Sequence, residues 1–322
     1  MLQNEFERIK SYFAPLAESF AGALSLKDDA AILSMEVGRE LVVTTDTVVE
    51  GVHYIGDESP DFIARKLLRV SLSDLAAMGA EPFAYTLNIA LPYGTPDTWL
   101  EAFSNGLRAD QAEFGIHLTG GDSVSTPGPA VLTATLFGTV KTGGAVRRTG
   151  ALPGDIIFVS GTIGDATFGL SVARQEIDVD KFDNKVLEAR YRLPQPRLHL
   201  GYCLKEAATA AADISDGLLA DLGHITEASA CGAVIDLDNI PLSPAVRRLV
   251  DKDGDRWEKV LTGGDDYEIV FTARNQSCVA DISDKLNLPI TPIGRIVSGT
   301  AVEILNSRGE AITFEVVGYK HV

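Results

Sequence analysis

The sequence predicts an α/β (α+β) protein made of two mixed domains. Runs rich in Val and Thr alternate with longer segments of helical periodicity, which is typical of helices packed on sheets. A segment rich in Gly and basic residues divides the chain near its middle. The 322 residues are 45% hydrophobic and 23% charged, an ordinary globular composition, and they are enough for two domains.

The first half of the chain contains three predicted strands and two predicted helices. The strands lie at 41–49, 83–91 and 130–140, and the helices lie at 61–78 and 97–114. We expect the helices to pack on a largely antiparallel or mixed sheet.

The segment 141–155 (KTGGAVRRTGALPGD) contains a Pro-Gly turn and is predicted to connect the two domains. We therefore assign residues 1–140 to an N-terminal domain and residues 141–322 to a C-terminal domain. The second domain is predicted to contain a strand at 155–161, helices near 165–175 and 183–191, and strands near 233–237 and 267–273.

Charge and cysteine content exclude several classes of partner. The net charge of −17 argues against nonspecific nucleic-acid binding, which needs basic side chains to neutralise phosphates. Cys203, Cys231 and Cys278 form no CxxC pair, which favours free thiols in a reducing compartment. The N-terminus lacks a signal-peptide core, and no apolar run has the length of a membrane span. We expect a cytoplasmic protein with neither nucleic acid nor a membrane as partner.

A carboxylate interrupts the predicted strand 41–49. Alternation along the strand places Thr44 and Asp46 on one face and Thr45 on the other. A charge in this position is costly to bury unless it is paired, hydrogen-bonded or bound to a cation.

A second aspartate lies on an apolar helical stripe. Ile63, Leu67, Val70 and Asp74 follow spacings of four, three and four residues, so Asp74 shares the apolar face. The alternative is that Ser73 or Asp74 caps a second short helix.

Five acidic stations lie at the ends of apolar segments, where functional loops are usually displayed. They contain Asp28 and Asp29, Asp74, Gly121 and Asp122, Asp213 and Asp216, and Asp265 and Asp266. Each alone is more often a turn or a cap. Two like charges near 4 Å repel by about 4 kcal/mol at an effective dielectric of about 20, so a cluster of them needs cations.

The residue types of these stations indicate Mg²⁺ and a phosphate-bearing substrate. Asp and Thr oxygens suit Mg²⁺ rather than Zn²⁺, and the chain has no EF-hand loop. It also has no P-loop and no protein-kinase signature set, and the glycines of GTIGDATFG are too loosely spaced to count as a phosphate loop.

Six motifs in order resemble the thiamine-monophosphate kinase family of the aminoimidazole-ribonucleotide-synthetase-like superfamily. They are TTDTVVEGVHY, SLSDLAAMGAEP, TGGDS, RRTGALPGD, DISDGLLADLGHI and GGDDYE. The resemblance implies ATP-dependent phosphorylation of thiamine monophosphate to thiamine diphosphate with several Mg²⁺ ions. It also implies the superfamily's two-domain fold, with N-terminal ATP/metal-binding domains whose sheets form a barrel in a homodimer, and a C-terminal domain that completes the cleft.

The resemblance also assigns roles to residues, and it assigns no covalent nucleophile or general base. The implied metal ligands are Asp29, Thr44, Thr45 (through its backbone oxygen), Asp46, Asp74, Asp122, Asp213 and Asp216. The implied ATP-binding residues are Gly121, Asp122, Arg148 and Ser215. The implied substrate-binding residues are His53, Asp265, Val316 and Tyr319.

The chain departs from the family pattern at three places. Lys27 precedes the paired acids where the family commonly has Gly, and Asp265 stands where the family usually has Glu. Val316 stands where the family often has an aromatic residue, with Tyr319 as a nearby substitute. Lys27 places a positive charge near the phosphates or points to solvent, whereas the departures at Asp265 and Val316 affect recognition of the thiamine substrate.

Two alternatives remain open at this point. Another ATP-using member of the superfamily is one, although the chain has no cysteine before Cys203, as a selenophosphate synthetase would need, and ends in YKHV rather than in the cysteine of the hydrogenase-maturation relative. A non-catalytic, Ca²⁺-stabilised binding protein is the other, and it would bind metal without consuming ATP.

Overall fold

A computed structural model of the chain describes residues 5–312 and Gly318. The chain divides into two compact units, one of Met1–Leu75 and Ala80–Gly143 and the other of Ala76–Gly79 and Gly144–Val322. Among the described residues, none of the helices combines the length and the apolar character needed to cross a bilayer. Val316 and Tyr319, both assigned to the substrate, lie outside the described residues.

The first unit contains a four-stranded sheet in the order β1-β4-β2-β3. Strand β4 is antiparallel to β1 and β2, whereas β3 is parallel to β2, so the sheet is mixed as predicted. Its strands are β1 (Arg39–Val49), β2 (Glu81–Pro92), β3 (His117–Thr126) and β4 (Val131–Lys141), and its helices are α1 (Glu5–Arg8), α2 (Ala14–Ala17), α3 (Pro60–Ala77) and α4 (Asp97–Phe114), with a π-turn at Ile9–Phe13 and a 3₁₀ segment at Ala21–Leu26.

The two faces of β1 differ in burial because its side chains alternate. Val42 and Val48 are buried, while Leu41 and Val43 on the other face are 43% and 53% exposed. Helix α3 runs unbroken through Asp74, so the alternative of a second helix capped at Ser73 or Asp74 is wrong. The predicted helices 61–78 and 97–114 are confirmed as α3 and α4.

The second unit contains a mixed seven-stranded sheet in the order β11-β10-β7-β9-β5-β8-β6. Its core includes Ile157, Val159 and Val270 of central strands and Leu222 of a covering helix. Its strands are β5 (Ile156–Ser160), β6 (Ala208–Asp213), β7 (Gly232–Asp236), β8 (Ile269–Ala273), β9 (Ile290–Val297), β10 (Val302–Leu305) and β11 (Ala311–Ile312). Its helices are α5 (Asp165–Ala173), α6 (Lys181–Arg192), α7 (Leu198–Ala207), α8 (Leu218–Ser229), α9 (Pro244–Lys252), α10 (Arg256–Thr262) and α11 (Gln276–Leu286), with a 3₁₀ turn at Leu237–Asn239.

Candidate functional site

The carboxylates of β1 and α3 lie close together in the first unit. The Thr44 hydroxyl donates a short hydrogen bond to Asp74, and the Ser71 hydroxyl donates to Asp46 at 2.6 Å. Because Thr44 and Asp46 share the face of β1 that meets α3, the strand brings two of the predicted ligands to the helix that carries a third. Thr45 points the other way, and its hydroxyl bonds to Ala134 and Thr135 of β4.

Partial burial changes the electrostatics of Asp46. Burial raises the pKa of Asp46 above its ordinary value, while the Ser71 hydroxyl and the nearby His53 oppose that rise. Two hydrogen bonds hold His53 in place. Its ring Nδ1 accepts from the Val49 amide at 3.1 Å, and its backbone carbonyl accepts from the Lys66 ammonium group at 3.0 Å. The predicted substrate residue His53 therefore lies beside the predicted ligand Asp46.

The arginines of α3 point to a different helix. Arg69 binds Asp110 of α4 through two hydrogen bonds of 2.7 and 2.9 Å, and Arg65 binds the same carboxylate at 2.7 Å. Glu113 accepts from both arginines, at 2.6 and 3.1 Å. These cations compensate the acids of α4 and hold α3 against α4.

A pocket of about 180 Å³ in the first unit joins two other acidic stations. Asp28 and Asp29 line this pocket, as do Gly121 and Asp122 of β3. A Cβ atom at Gly121 would lie 1.8 Å from the carbonyl oxygen of Leu87, so only glycine permits this approach of β3 to β2. A register shift just before Gly120 leaves Thr119 bonded through its hydroxyl to Tyr85, and such bulges often re-aim side chains beside functional sites.

The sheet separates these two groups of carboxylates. Asp46 pairs with Ala134, Ala134 with Leu87, and Leu87 with Gly121, so the four residues form one row across the sheet. Three strand spacings of about 4.8 Å place the backbones of Asp46 and Gly121 about 14 Å apart. A single copy of this sheet therefore does not bring Asp46 and Asp122 onto one ion.

In the second unit, a loop from Ile214 to Gly217 follows β6 and leads into α8. Asp213, at the end of β6, is 3% exposed, and Ser215 and Asp216 are half-buried. The Oδ2 atom of buried Asp221 accepts from the backbone amides of Ser215, Asp216 and Gly217, at 3.0, 3.1 and 3.2 Å. Burial raises the pKa of Asp221 to about 7, and the nearby Arg148 acts in the opposite direction.

The same loop is bonded on its other side to the second Gly-Gly-Asp element. The amide of Asp265 donates to the Ser215 carbonyl at 2.9 Å, and the amide of Tyr267 donates to the Ile214 carbonyl at 2.8 Å. Both donors are non-glycine residues in the left-handed region, with φ of 69° for Asp265 and 49° for Tyr267. The Tyr267 hydroxyl also donates to Asp265 at 3.2 Å.

Two acidic side chains that follow Asp265 in the sequence, those of Asp266 and Glu268, are fully buried. Glu268 binds Arg190 at 2.7 Å, Arg197 at 2.6 Å and the Ser160 hydroxyl at 2.7 Å. Asp266 accepts from the Gly164 and Ala166 amides at the start of α5, at 2.6 and 3.1 Å. Burial raises the pKa of Asp266 to about 8, although the two amides oppose the change.

Three residues of these sites were not singled out by sequence reasoning: Ser71, Asp221 and Glu268. Asp221 was detectable, because it lies three residues after Leu218 and four before Ile225 on the apolar stripe of α8, the same signal that identified Asp74. Ser71 carries no such signal. The partners of Glu268 are more than 70 residues away in the sequence.

The donor atoms fit Mg²⁺. In both units, the side chains assigned as metal ligands offer carboxylate and hydroxyl oxygens. Mg²⁺ prefers oxygen ligands of this kind. In the described part of the second unit, Asp216, Asp221 and His224 also place one ligand atom each within 4.8 Å of one another.

The chain is similar to known proteins along almost its whole length. Residues 27–140 match the model of the AIR synthase related protein, N-terminal domain, and residues 153–305 match that of the C-terminal domain. A thiamine-monophosphate kinase of Caulobacter vibrioides is 41% identical over 99% of this chain and 91% of its own. The crystal structure of a thiamine-monophosphate kinase from Stenotrophomonas maltophilia has a TM-score of 0.84 at 40% identity, over 94% of this chain and 98% of its own. The structure of AaThiL complexed with AMPPCP and TMP has a TM-score of 0.78 at 29% identity, over 99% of this chain and 97% of its own.

Proposed function

The chain belongs to the AIR synthase related family and, within it, to the thiamine-monophosphate kinases, and on this premise we propose that it transfers the γ-phosphoryl group of ATP to thiamine monophosphate. The products are thiamine diphosphate and ADP. A relative of the same fold has been solved with AMPPCP and TMP, which supports both substrates.

The observation that carries the proposal is the set of oxygen ligands on β1 and α3. Thr44, Asp46 and Asp74 lie at motif positions. The Thr44 hydroxyl donates to Asp74 and the Ser71 hydroxyl donates to Asp46, so hydrogen bonds orient all three side chains. Together with Asp29, Thr45, Asp122, Asp213 and Asp216, they would hold Mg²⁺ ions. When bound, Mg²⁺ neutralises phosphate charge on both anionic reactants and orients them.

The nucleotide is assigned to residues that offer backbone amides, a hydroxyl and one cation. Gly121 and Asp122 are exposed and line the pocket of the first unit, and we assign them to the phosphates of ATP. Arg148 and Ser215 of the second unit supply a guanidinium and a hydroxyl for the phosphates. These groups replace the lysine of a P-loop.

The acceptor needs no general base. The phosphate of thiamine monophosphate, with a second pKa of about 6, is largely deprotonated at neutral pH. His53 and Asp265 are assigned to hold this substrate, and positioning accounts for most of the catalysis in such a transfer. In-line attack on the γ-phosphorus then releases ADP without a covalent enzyme intermediate.

An ADP-release assay tests the activity with thiamine monophosphate, thiamine and an aminoimidazole precursor side by side. We expect turnover only with thiamine monophosphate. Asp46→Asn and Asp74→Asn should lose more than about a hundredfold in kcat, because each removes an anionic ligand. Asp61→Asn, at the other end of α3, serves as the control and should stay within about twofold. Near-normal turnover in Asp46→Asn or Asp74→Asn would refute the ligand assignment.

A homodimer is part of the proposal and is supported by the sheet of the first unit. The β1 face away from α3 exposes Leu41 and Val43, and β1 and β3 are the two edge strands. In a closed eight-stranded barrel, β3 of one protomer lies beside an edge strand of its partner. If that strand is β1, Asp122 and Asp46 of different protomers come within reach of each other, which one copy does not achieve.

Mixing two inactive variants tests this arrangement. Asp46→Asn and Asp122→Asn protomers, denatured and refolded together, should form about half heterodimers, each with one intact site of two. Activity should therefore recover to about a quarter of wild type. No recovery, with heterodimers present by mass spectrometry, would place Asp46 and Asp122 in the same protomer's site.

The cytoplasmic location stays a prediction of the sequence. It is supported by the three cysteines, Cys203, Cys231 and Cys278, all of which are free thiols.

A further inference from the structure

The loop that follows the predicted metal ligand Asp213 and carries the predicted metal ligand Asp216 is organised by a buried carboxyl group with no role in the proposed chemistry. Asp221 is 1% exposed and lies in the first turns of α8. One of its oxygens, Oδ2, receives the amides of Ser215, Asp216 and Gly217. Three backbone N–H groups of consecutive residues therefore converge on one side-chain oxygen atom.

The opposite side of the loop is equally constrained. The amide of Ile214 donates to the Glu268 carbonyl at 2.8 Å, and the carbonyls of Ile214 and Ser215 accept from Tyr267 and Asp265. Gly217 has φ of 120°, and a Cβ atom there would lie 2.7 Å from the Thr262 carbonyl. The loop between Asp213 and Gly217 is therefore bonded through its backbone on both sides.

We propose that Asp221 is a positioning residue for the phosphoryl transfer. Its carboxylate fixes the backbone from Ser215 to Gly217, so that Asp213, Ser215 and Asp216 hold their ligand-binding geometry before the ligand arrives. The inference deepens the proposed function and rests on it. Groups that orient metal ligands typically change metal affinity or activity by 10–100-fold when they are removed.

A direct ligand role for Asp221 is the competing explanation. Asp221, Asp216 and His224 lie close enough to share an ion. However, Oδ2 of Asp221 is already occupied by three amides, which a metal at that atom would displace. The two roles differ in what removal of His224 should do.

The test measures backbone protection and metal requirement in the full-length protein. Asp221→Ala should speed amide hydrogen exchange at residues 215–217 by about tenfold, and it should raise the Mg²⁺ concentration for half-maximal activity by about tenfold. Asp221→Asn should change both less, because it keeps an oxygen acceptor, and it also covers the case in which the alanine variant does not fold.

Asp155→Asn is the matched control. Asp155 is equally buried and accepts from the Leu152 amide and the Thr209 hydroxyl, away from this loop. We expect its Mg²⁺ requirement and its exchange at 215–217 to stay within about twofold of wild type, even if its melting temperature falls.

Two results would overturn the inference. One is an active Asp221→Asn or Asp221→Ala enzyme with unchanged exchange at 215–217 and an unchanged Mg²⁺ requirement. The other is His224→Ala with the same tenfold rise in Mg²⁺ requirement, which would make Asp221 part of a metal site. A wild-type protein that makes no thiamine diphosphate would instead refute the proposed function, and the exchange measurement would still decide whether Asp221 holds the loop.

Discussion

The tetrapeptide Thr-Gly-Gly-Asp occurs at 119–122 and again at 262–265, in two different environments. In the first unit it lies within edge strand β3, and its aspartate is exposed at a pocket. In the second unit it precedes β8, and its aspartate has a left-handed backbone bonded to a neighbouring loop. Identical residues therefore form a strand in one case and a strained turn in the other.

What the two copies share is the role of the second glycine. A Cβ atom at Gly121 would lie 1.8 Å from the Leu87 carbonyl oxygen, and one at Gly264 would lie 2.1 Å from that of Ser215. In each case the glycine lets the chain pass over a neighbouring carbonyl, directly before the aspartate. What differs is the sequence that follows, since Asp266 and Glu268 are buried, whereas Ser123 and Val124 are partly or largely exposed.

Removal of the Glu268 charge should give the largest difference in unfolding free energy between variants of the two Thr-Gly-Gly-Asp copies. Glu268→Gln leaves Arg190 and Arg197 facing a neutral, fully buried group, so the free energy of unfolding should fall by about 3–5 kcal/mol. Asp122→Asn, at the exposed end of the first copy, should change it by less than about 0.5 kcal/mol while activity is lost. Urea denaturation of both variants measures this contrast, and equal stabilities would contradict the structural role of the second copy.

Alanine at the glycines of the first copy should give the next largest effect. Gly121→Ala must displace β3 from β2, which should cost about 1–3 kcal/mol of unfolding free energy. Gly120→Ala has no atom within 4 Å of the added methyl and should stay within about 0.5 kcal/mol of wild type. Thermal denaturation of the pair is the measurement. A Gly121→Ala variant as stable as Gly120→Ala would show that the strand pairing adapts.

The pH dependence of the unfolding free energy should differ between variants of the two Thr-Gly-Gly-Asp copies by about 1 kcal/mol per pH unit. The folded pKa of Asp266 is about 8, against about 3.9 in the unfolded chain. Between these values the folded state binds the extra proton, so the free energy of unfolding falls as pH rises, by at most about 1.4 kcal/mol per unit. Between pH 6 and pH 7, Asp266→Asn should remove the contribution of Asp266 to the fall of the unfolding free energy with pH. Asp122→Asn should keep it, and an unchanged slope in Asp266→Asn would argue for an ionised Asp266.

Local pattern was sufficient for some of these features and not for others. The stripe of Ile63, Leu67 and Val70 and the alternation around Asp46 predicted α3 and the faces of β1, because both are set by neighbours in the sequence. Strand β3 is missing from the sequence prediction, since Gly120 and Gly121 interrupt its apolar pattern. The order of the strands within each sheet could not be predicted from local sequence patterns either.

The consequences of strand order appear only in three dimensions. The separation of Asp46 from Gly121 across the sheet depends on which strands pair, a choice made by tertiary contacts. The same holds for Glu268, whose arginines come from α6 and the segment before α7. A sequence motif can therefore identify the carboxylates of this site without showing which of them can share a ligand.

Substitution of Asp265 should give the smallest change in stability. Gly is the residue best suited to φ of 69°, and relief of the backbone strain offsets its greater entropy in the unfolded chain. Asp265→Gly should therefore stay within about 0.5 kcal/mol of wild type, while the KM for thiamine monophosphate rises and the KM for ATP does not. Asp265→Glu restores the family's usual residue, but the longer side chain tolerates the left-handed region less well than Asp. If Asp265→Gly left both KM values unchanged, the second copy of the motif would be a structural element alone.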